Sequence, residues 1–453
     1  MLRIDAGTTP AYCDGLSRRS FLQVGVAGMA AVGLPTILRA REAAVRNGQP
    51  RKETSVILLW VDGGPSHMDL YDMKPEAPAE YRGIWRPIPT NVPGMEISEL
   101  FPLQARVADK FSIVRSLHHD AGDHFTGGHW MLTGRGGVNG AFNAGKYPSI
   151  GSIATKVLGA RQPGMPAYVG VPYSMSIGLR PGYFGGNYLG VQYNPFEVGA
   201  DPNSSRFQVR NMTLPSGLTV KRLEDRRAIL KQFDTLRRDA DQTGMVDAMD
   251  RFDRQAFEMV TGPKARKAFD IGSEDPKLRD RYGRNGWGQS TLLARRLVEA
   301  GSTFVTCHFG GWDHHWNLES GMKNNLPRVD QIVSTLFEDL AARGLSEQVL
   351  VVMCGEFSRT PRMNDGRGSG TPGRDHWGNA MFCLMGGGGL KGGQVVGSTS
   401  RKGEVPTDRP LRPGDIHHTI YHVLGVDPST HFLDHAGRPV PAIDHGQVIR
   451  ELV

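Results

Sequence analysis

Ser55-Val-Ile-Leu-Leu-Trp-Val61 runs straight into Asp62. An apolar run from Val56 to Val61 with no polar alternation suits a strand covered on both faces. Two later stretches share the pattern. Thr303-Phe-Val-Thr-Cys-His-Phe309 leads through Gly310-Gly311-Trp312 to Asp313, with His314 and His315 next. Gln348-Val-Leu-Val-Val-Met-Cys354 leads through Gly355 to Glu356. Between them, Trp287 to Ala300 reads as a helix stopped by Gly301, and Val329 to Arg343 as a helix stopped by Gly344. Strand, helix, strand in that order is a βαβ unit. The expected fold is therefore α/β, with a mostly parallel sheet flanked by helices on both faces.

The rest of the chain fits around that frame. Phe111 to Ser116, Ala167 to Val171 and Ala380 to Met385 read as further strands, and Glu99 to Ala108 and Ile416 to Leu424 as helices. Residues 174 to 217 are rich in Gly, Tyr and Asn without periodicity and are expected to form an inserted lid or substrate loop. Val220 to Met259 is charged and helical in period, with a break near Gly244.

In open α/β sheets, ligands collect at the carboxyl ends of strands. Asp62, Asp313 and Glu356 are expected at such ends, and Asp375, His376 and His315 lie in the loops nearby. Divalent cations need several oxygen or nitrogen ligands converging within about 2.0–2.6 Å. These six residues are the candidate ligands. Histidine points to zinc, manganese or iron, and the excess of acids leaves magnesium and calcium open. Arg359 and Arg374 are close in sequence to these acids, and a guanidinium fork suits a phosphate or sulfate group.

The N-terminus gives an address. Ser17-Arg18-Arg19-Ser20-Phe21-Leu22 precedes an apolar stretch from Val24 to Leu38. Charged head, short apolar middle and small residues mark residues 1–44 as a twin-arginine export signal, cleaved between Arg39 and Arg46. The twin-arginine translocase is the implied partner, and the periplasm or the medium the implied destination. The apolar stretch is too short to span a bilayer comfortably, and no later segment approaches a span.

The formal charge of +7 is modest for 453 residues, with no basic block interleaved with aromatics, so nucleic acid is not an expected partner. Cys13 departs with the signal; Cys307, Cys354 and Cys383 sit in expected buried strands, which fits core residues rather than a disulfide framework.

The order of these parts resembles the alkaline phosphatase/sulfatase superfamily. The resemblance is carried by Asp62 after the first strand, Leu132-Thr133-Gly134-Arg135, Asp313 and Glu356 at two later strand ends, and the late pair Asp375-His376. With Gly63-Gly64-Pro65-Ser66-His67, Gly311-Trp312-Asp313 and Gly355-Glu356-Phe357-Ser358-Arg359-Thr360-Pro361, the chain most closely resembles a family of exported bacterial proteins within that superfamily. The resemblance implies a three-layer alkaline phosphatase-like sandwich over residues 45–453. It also implies a metal-dependent hydrolase or transferase acting on a phosphate or sulfate ester, with an anionic ester or saccharide as substrate.

The sequence departs from that pattern at the nucleophile. Nine residues before Thr133, where those enzymes place Ser, Thr or a modified Cys, stands His124. His124 is then a phosphoryl acceptor, a further metal ligand or a general acid. Thr126 is a displaced nucleophile if the turn is shifted, and direct attack by a metal-activated water is the third route. Arg359 completes the catalytic candidates. Phe357 stands where a histidine usually follows the second acid, and Asn317 where one usually follows Asp313. His315 is preferred over His314 as the replacement. A second reading is a non-catalytic exported relative that binds glycans or proteins and keeps the fold, with or without a structural metal.

Overall fold

The computed structural model describes residues 53–136, 145–209, 221–222, 225, 257–258, 262–366, 368 and 371–453. Chain contacts separate Met1–Lys52 from Glu53–Val453. The expected export signal and nearly all of the expected helical stretch at 220–259 lie outside the described residues.

Eight strands form one sheet: β1 Ser55–Val61, β2 Ser112–Leu117, β3 Tyr168–Val171, β4 Phe196–Glu197, β5 Phe304–Phe309, β6 Val349–Cys354, β7 Met381–Gly387 and β8 Val395–Val396. Their order across the sheet is β8-β2-β7-β6-β1-β5-β3-β4. Every neighbouring pair is parallel except the two that β7 makes with β2 and β6. A parallel partner needs a crossover, usually a helix. Among its described residues the connection from Gly355 to Ala380 contains no helix; it pairs Ser358–Arg359 with His376–Trp377 and turns back. The chain therefore re-enters the sheet reversed.

The apolar runs fold as strands because both of their faces are covered. Ile57, Leu59 and Val61 of β1 join a core that holds Leu292, Leu297, Val329 and Leu336. Val56, Leu58 and Trp60 join a second core with Ile153, Ile416 and Ile420. These residues place α3 (Gly286–Ala300) and α4 (Leu318–Ala342) on one face. They place α2 (Ile150–Leu158) and α5 (Pro413–Leu424) on the other. The result is a three-layer α/β sandwich. Among the described residues no helix is long and apolar enough to cross a membrane.

Three expected elements differ. Glu99–Ala108 is not a helix but contributes two short 3-10 turns, Gln104–Arg106 and Ala108–Lys110. Pro102 interrupts the stretch, and the Asp330 carboxylate accepts from the Leu103 and Gln104 amides at 3.0 and 2.7 Å, replacing helical partners. The helix expected from Val329 begins instead at Leu318 and continues through Pro327. An interior proline costs a helix about 3 kcal/mol. Burial of Leu318, Met322 and Leu326, four residues apart along one side, offsets that cost. Residues 174–209 carry 3-10 turns and, contrary to a pure loop insertion, supply β4 to the sheet edge.

What matters for function is the middle of the sheet. β6, β1 and β5 lie side by side and parallel, with Trp60 opposite Cys354 and Val61 opposite Phe309. Their following residues therefore leave the sheet at one edge. Gly63, at φ 117°, lets the chain after Asp62 pass so close to Trp312-Asp313 that a Cβ would stand 2.6 Å from the Asp313 nitrogen.

Candidate metal centre

Three imidazoles surround Asp313, and each is held from behind. His315 and His376 meet through their Nε2 atoms at 3.0 Å. Asp313 Oδ1 lies 3.0 Å from His315 Nε2 and 3.3 Å from His376 Nε2. The far nitrogen of each ring donates to a fixed acceptor: His315 Nδ1 to Asp375 Oδ1 at 2.6 Å, and His376 Nδ1 to the Gly122 carbonyl at 2.9 Å. A ring that donates through Nδ1 keeps the Nε2 lone pair free for a cation, and such outer partners fix both tautomer and orientation. Four ligands at about 2.0–2.1 Å in a tetrahedron stand about 3.3 Å from one another. The triangle of Asp313, His315 and His376 has nearly those edges.

His124 closes the fourth side. It opens α1 (His124–Thr133), where Asp123 caps the first turn by accepting from the Phe125 and Thr126 amides. His124 Nδ1 lies 2.6 Å from Glu356 Oε1, and its Nε2 lies 3.5 Å from Asp313 Oδ2. Ligand atoms of His124, Asp313 and His376 all lie within 4.8 Å of one another. α1 comes this close to Glu356 because Gly127 has no side chain; a Cβ there would sit 2.7 Å from the Glu356 carbonyl oxygen.

Glu356 is fully buried. Its Oε1 accepts from the Gly63 amide at 2.8 Å as well as from His124, while Oε2 has no hydrogen-bond partner among the described residues. Burial pushes its carboxyl above the ordinary range, against the hydrogen bond from His124. An orphaned buried oxygen beside the histidine cluster fits a centre that takes a cation or a shared proton.

Burial opposes the imidazolium form of His124. Hydrogen bonds to Asp313 and Glu356, and their charges, outweigh it and raise the ring to about 9. Burial likewise opposes the Asp313 anion, but hydrogen bonds from His124 and His376 and the Arg359 charge hold it well below the usual carboxylate range. The sign of the consequence follows from linkage. A raised histidine stabilises the folded metal-free protein below its ordinary value of 6.5, and that gain is lost as pH climbs through about 9. The expected result is a melting temperature, measured in chelator, that falls between pH 6.5 and 9.5. His124→Gln should flatten that slope; a slope equal to the native one would place its origin elsewhere.

The other expected site residues divide. Asp62 is buried at the same edge, but its acceptors are engaged by Ser176 Oγ at 2.7 Å, the Ile177 amide at 2.8 Å and His308 Nε2 at 2.9 Å. It stands next to the triangle without joining it. Asp375 stands behind His315 rather than against the cation position. Arg359 is fully buried, with Nη2 2.6 Å from Asp313 Oδ1, Nε donating to the Gly64 carbonyl at 2.9 Å, and a further bond to the Gly63 carbonyl. It braces Asp313 and the turn after β1. Arg374 is equally buried on Asp69 and the carbonyls of Thr360, Pro361, Tyr81 and Arg82. Thr126 lies two residues along α1 from His124, so its side chain points to a different side of the helix. Among the described residues its hydroxyl makes no hydrogen bond to the cluster.

His308 was not singled out in the sequence. It sits inside an apolar run, where a histidine reads as core. Its one outward signal was its place near the carboxyl end of β5.

A family model described as "Protein of unknown function (DUF1501)" matches residues 53–453. The chain belongs to the DUF1501 family. No curated protein matches it. Solved structures similar to this DUF1501 chain include the PsFucS1 sulfatase from Pseudoalteromonas sp., at 13% identity and TM-score 0.38 over 86% of this chain and 71% of that one. The phosphonate monoester hydrolase SpPMH from Silicibacter pomeroyi matches at 11% identity and TM-score 0.36, over 88% and 76%. The alkaline phosphatase of the Antarctic bacterium TAB5 matches at 10% identity and TM-score 0.34, over 83% and 99%.

Proposed function

We propose that this DUF1501 protein is an exported, metal-dependent hydrolase or transferase of phosphate or sulfate esters, built on an alkaline phosphatase/sulfatase-like scaffold. The observation that carries the reading is the triangle of Asp313, His315 and His376. Its edges suit a divalent cation, and both of its imidazoles are locked in the tautomer that offers Nε2. Histidine and carboxylate together favour zinc or manganese. A cation there supplies positive charge to an ester oxygen. Around it, this chain's own residues divide the work. Asp375 and the Gly122 carbonyl orient the ligands, and Arg359 holds Asp313. His124, set between the Asp313 and Glu356 carboxylates, is placed to stabilise an anionic group or to give a proton to a leaving oxygen.

One observation favours the binding-protein alternative. The first position of α1 is His124 and not Ser, Thr or Cys, and Arg359 and Arg374 are both consumed inside the protein, so neither fork is open to a substrate. One preparation separates the readings. The protein, expressed with its own N-terminus and purified without chelator, is assayed for metal and for turnover of nitrophenyl phosphate, phosphonate and sulfate esters. The enzyme reading expects about one divalent cation per chain, turnover of at least one ester, and loss of both in His376→Ala. Bound metal with no turnover of any ester supports the binding protein. Arg18→Lys with Arg19→Lys should leave the chain in the cytoplasm; normal export of that variant would remove the twin-arginine proposal.

A further inference from the structure

Asp62 is occupied by a segment built to hold it. Residues 174–180 follow β3 and rise over the end of β1. Ser176 and Leu179 exchange both backbone hydrogen bonds at 2.9 Å, so Ile177 and Gly178 form a two-residue hairpin turn. Both have positive φ, 45° for Ile177 and 75° for Gly178, the signature of a type I′ turn. Asn-Gly is the pair that such turns favour, and a β-branched residue at positive φ is a true outlier. The turn therefore holds its shape against local preference.

What holds it is polar and lies at two levels. At the tip, the Ser176 hydroxyl and the Ile177 amide both donate to Asp62. At the base, the Ser174 amide donates to Glu197 Oε1 at 3.0 Å, and Arg180 pairs with Glu197 Oε2 at 3.2 Å. Glu197 belongs to β4, so the base is fastened to the sheet. The tip is fastened to the Asp62 carboxylate, with the Tyr183 hydroxyl also beside Ser176, and it carries the exposed side chains of Ile177 and Leu179.

We propose that residues 174–180 form a latch on Asp62, whose tip lifts while its base stays on Glu197, and that, resting on the metal centre proposed above, this movement decides whether the Asp62 carboxylate is free to take another partner beside that centre. Closed, the latch shares the Asp62 carboxylate with His308 Nε2 and together they take up its acceptors. Opening breaks two hydrogen bonds and relieves the Ile177 backbone. The two states differ by a few local interactions, as a gate requires.

The test is amide hydrogen exchange of the peptide covering residues 174–181, in chelator, so that it stands independently of the cation. Ser176→Ala removes one tip bond and should speed exchange about five- to tenfold. Ile177→Asn keeps the amide donor and gives the turn its preferred residue, so exchange should slow several-fold. Asp62→Asn should speed exchange more than Ser176→Ala; the other two variants carry the test if that one fails to fold. Exchange in β3 should stay at the native level throughout. Equal exchange in Ser176→Ala, Ile177→Asn and the native protein would overturn the latch. So would acceleration that spreads equally through β3, because the tip would then not move by itself.

Discussion

Replacing Asp313 by alanine is expected to strip the protein of its cation. Asp313 gives Oδ1 to both His315 and His376 and Oδ2 to His124, so its loss removes the carboxylate of the triangle and one of the two acids that flank His124. It also leaves Arg359 buried with its carbonyl acceptors but without its counter-charge. Asp375→Asn is the informative comparison. It leaves all three triangle atoms in place and weakens only the acceptor behind His315 Nδ1. Outer partners of this kind are typically worth 10- to 100-fold in affinity. Metal per chain after dialysis, and affinity by competition with a coloured chelator, should therefore rank native above Asp375→Asn above Asp313→Ala. The alanine variant should retain almost none. Native metal content in Asp313→Ala would end the case for this centre.

Arg374→Ala is expected to cost the fold about 3–5 kcal/mol, the range for breaking a buried ion pair from one side. Arg374 and Asp69 are both fully buried, with Nε 3.0 Å from Asp69 Oδ2. The guanidinium gathers carbonyls from two separate loops, at 81–82 and 360–361, into one polar node. Removing it leaves an unpaired carboxylate and several unsatisfied carbonyls away from water. Arg374→Lys restores charge at one point but not the fork, and should recover only part of the loss. Arg412→Ala, which loses an exposed ion pair with Asp120 and a contact with the Trp130 ring, is the comparison and should cost only about 1 kcal/mol. Chemical denaturation followed by tryptophan fluorescence reads all three. A midpoint for Arg374→Ala equal to that of Arg412→Ala would show that the node contributes no more than an exposed pair.

The frame was legible in the sequence because strands covered on both faces leave an unmistakable trace. Uninterrupted runs such as Val56–Val61 and Val349–Cys354 lie where expected, with acids at their ends. The direction of β7 was not legible, since hydrophobic pattern carries no sign and it is the return through the Ser358–Arg359 and His376–Trp377 pairing that reverses it. The list of acids and histidines was legible as a list, but not the role of each. Whether Asp375 touches a cation or stands behind a ligand depends on about one side-chain length. Asp62 reads as a ligand from its strand end, yet its acceptors are taken by Ser176 and Ile177, more than a hundred positions away. Nothing local to Asp62 announces that. Arg359 reads as an anion fork until the folded turn shows that Gly63 and Gly64 bring their carbonyls to it.

The two loops that make the triangle are distant along the chain: His315 and His376 are 61 positions apart. A cation between them would act as a removable rivet, joining the end of β5 to the segment that re-enters the sheet as β7. Closing so long a loop lowers the freedom of the unfolded chain, and any ion that binds only the folded form adds its binding free energy to stability. Under the twin-arginine export proposed above, in which cargo crosses the membrane folded, the compartment in which the rivet is set would also decide how firmly the chain resists unravelling on the way.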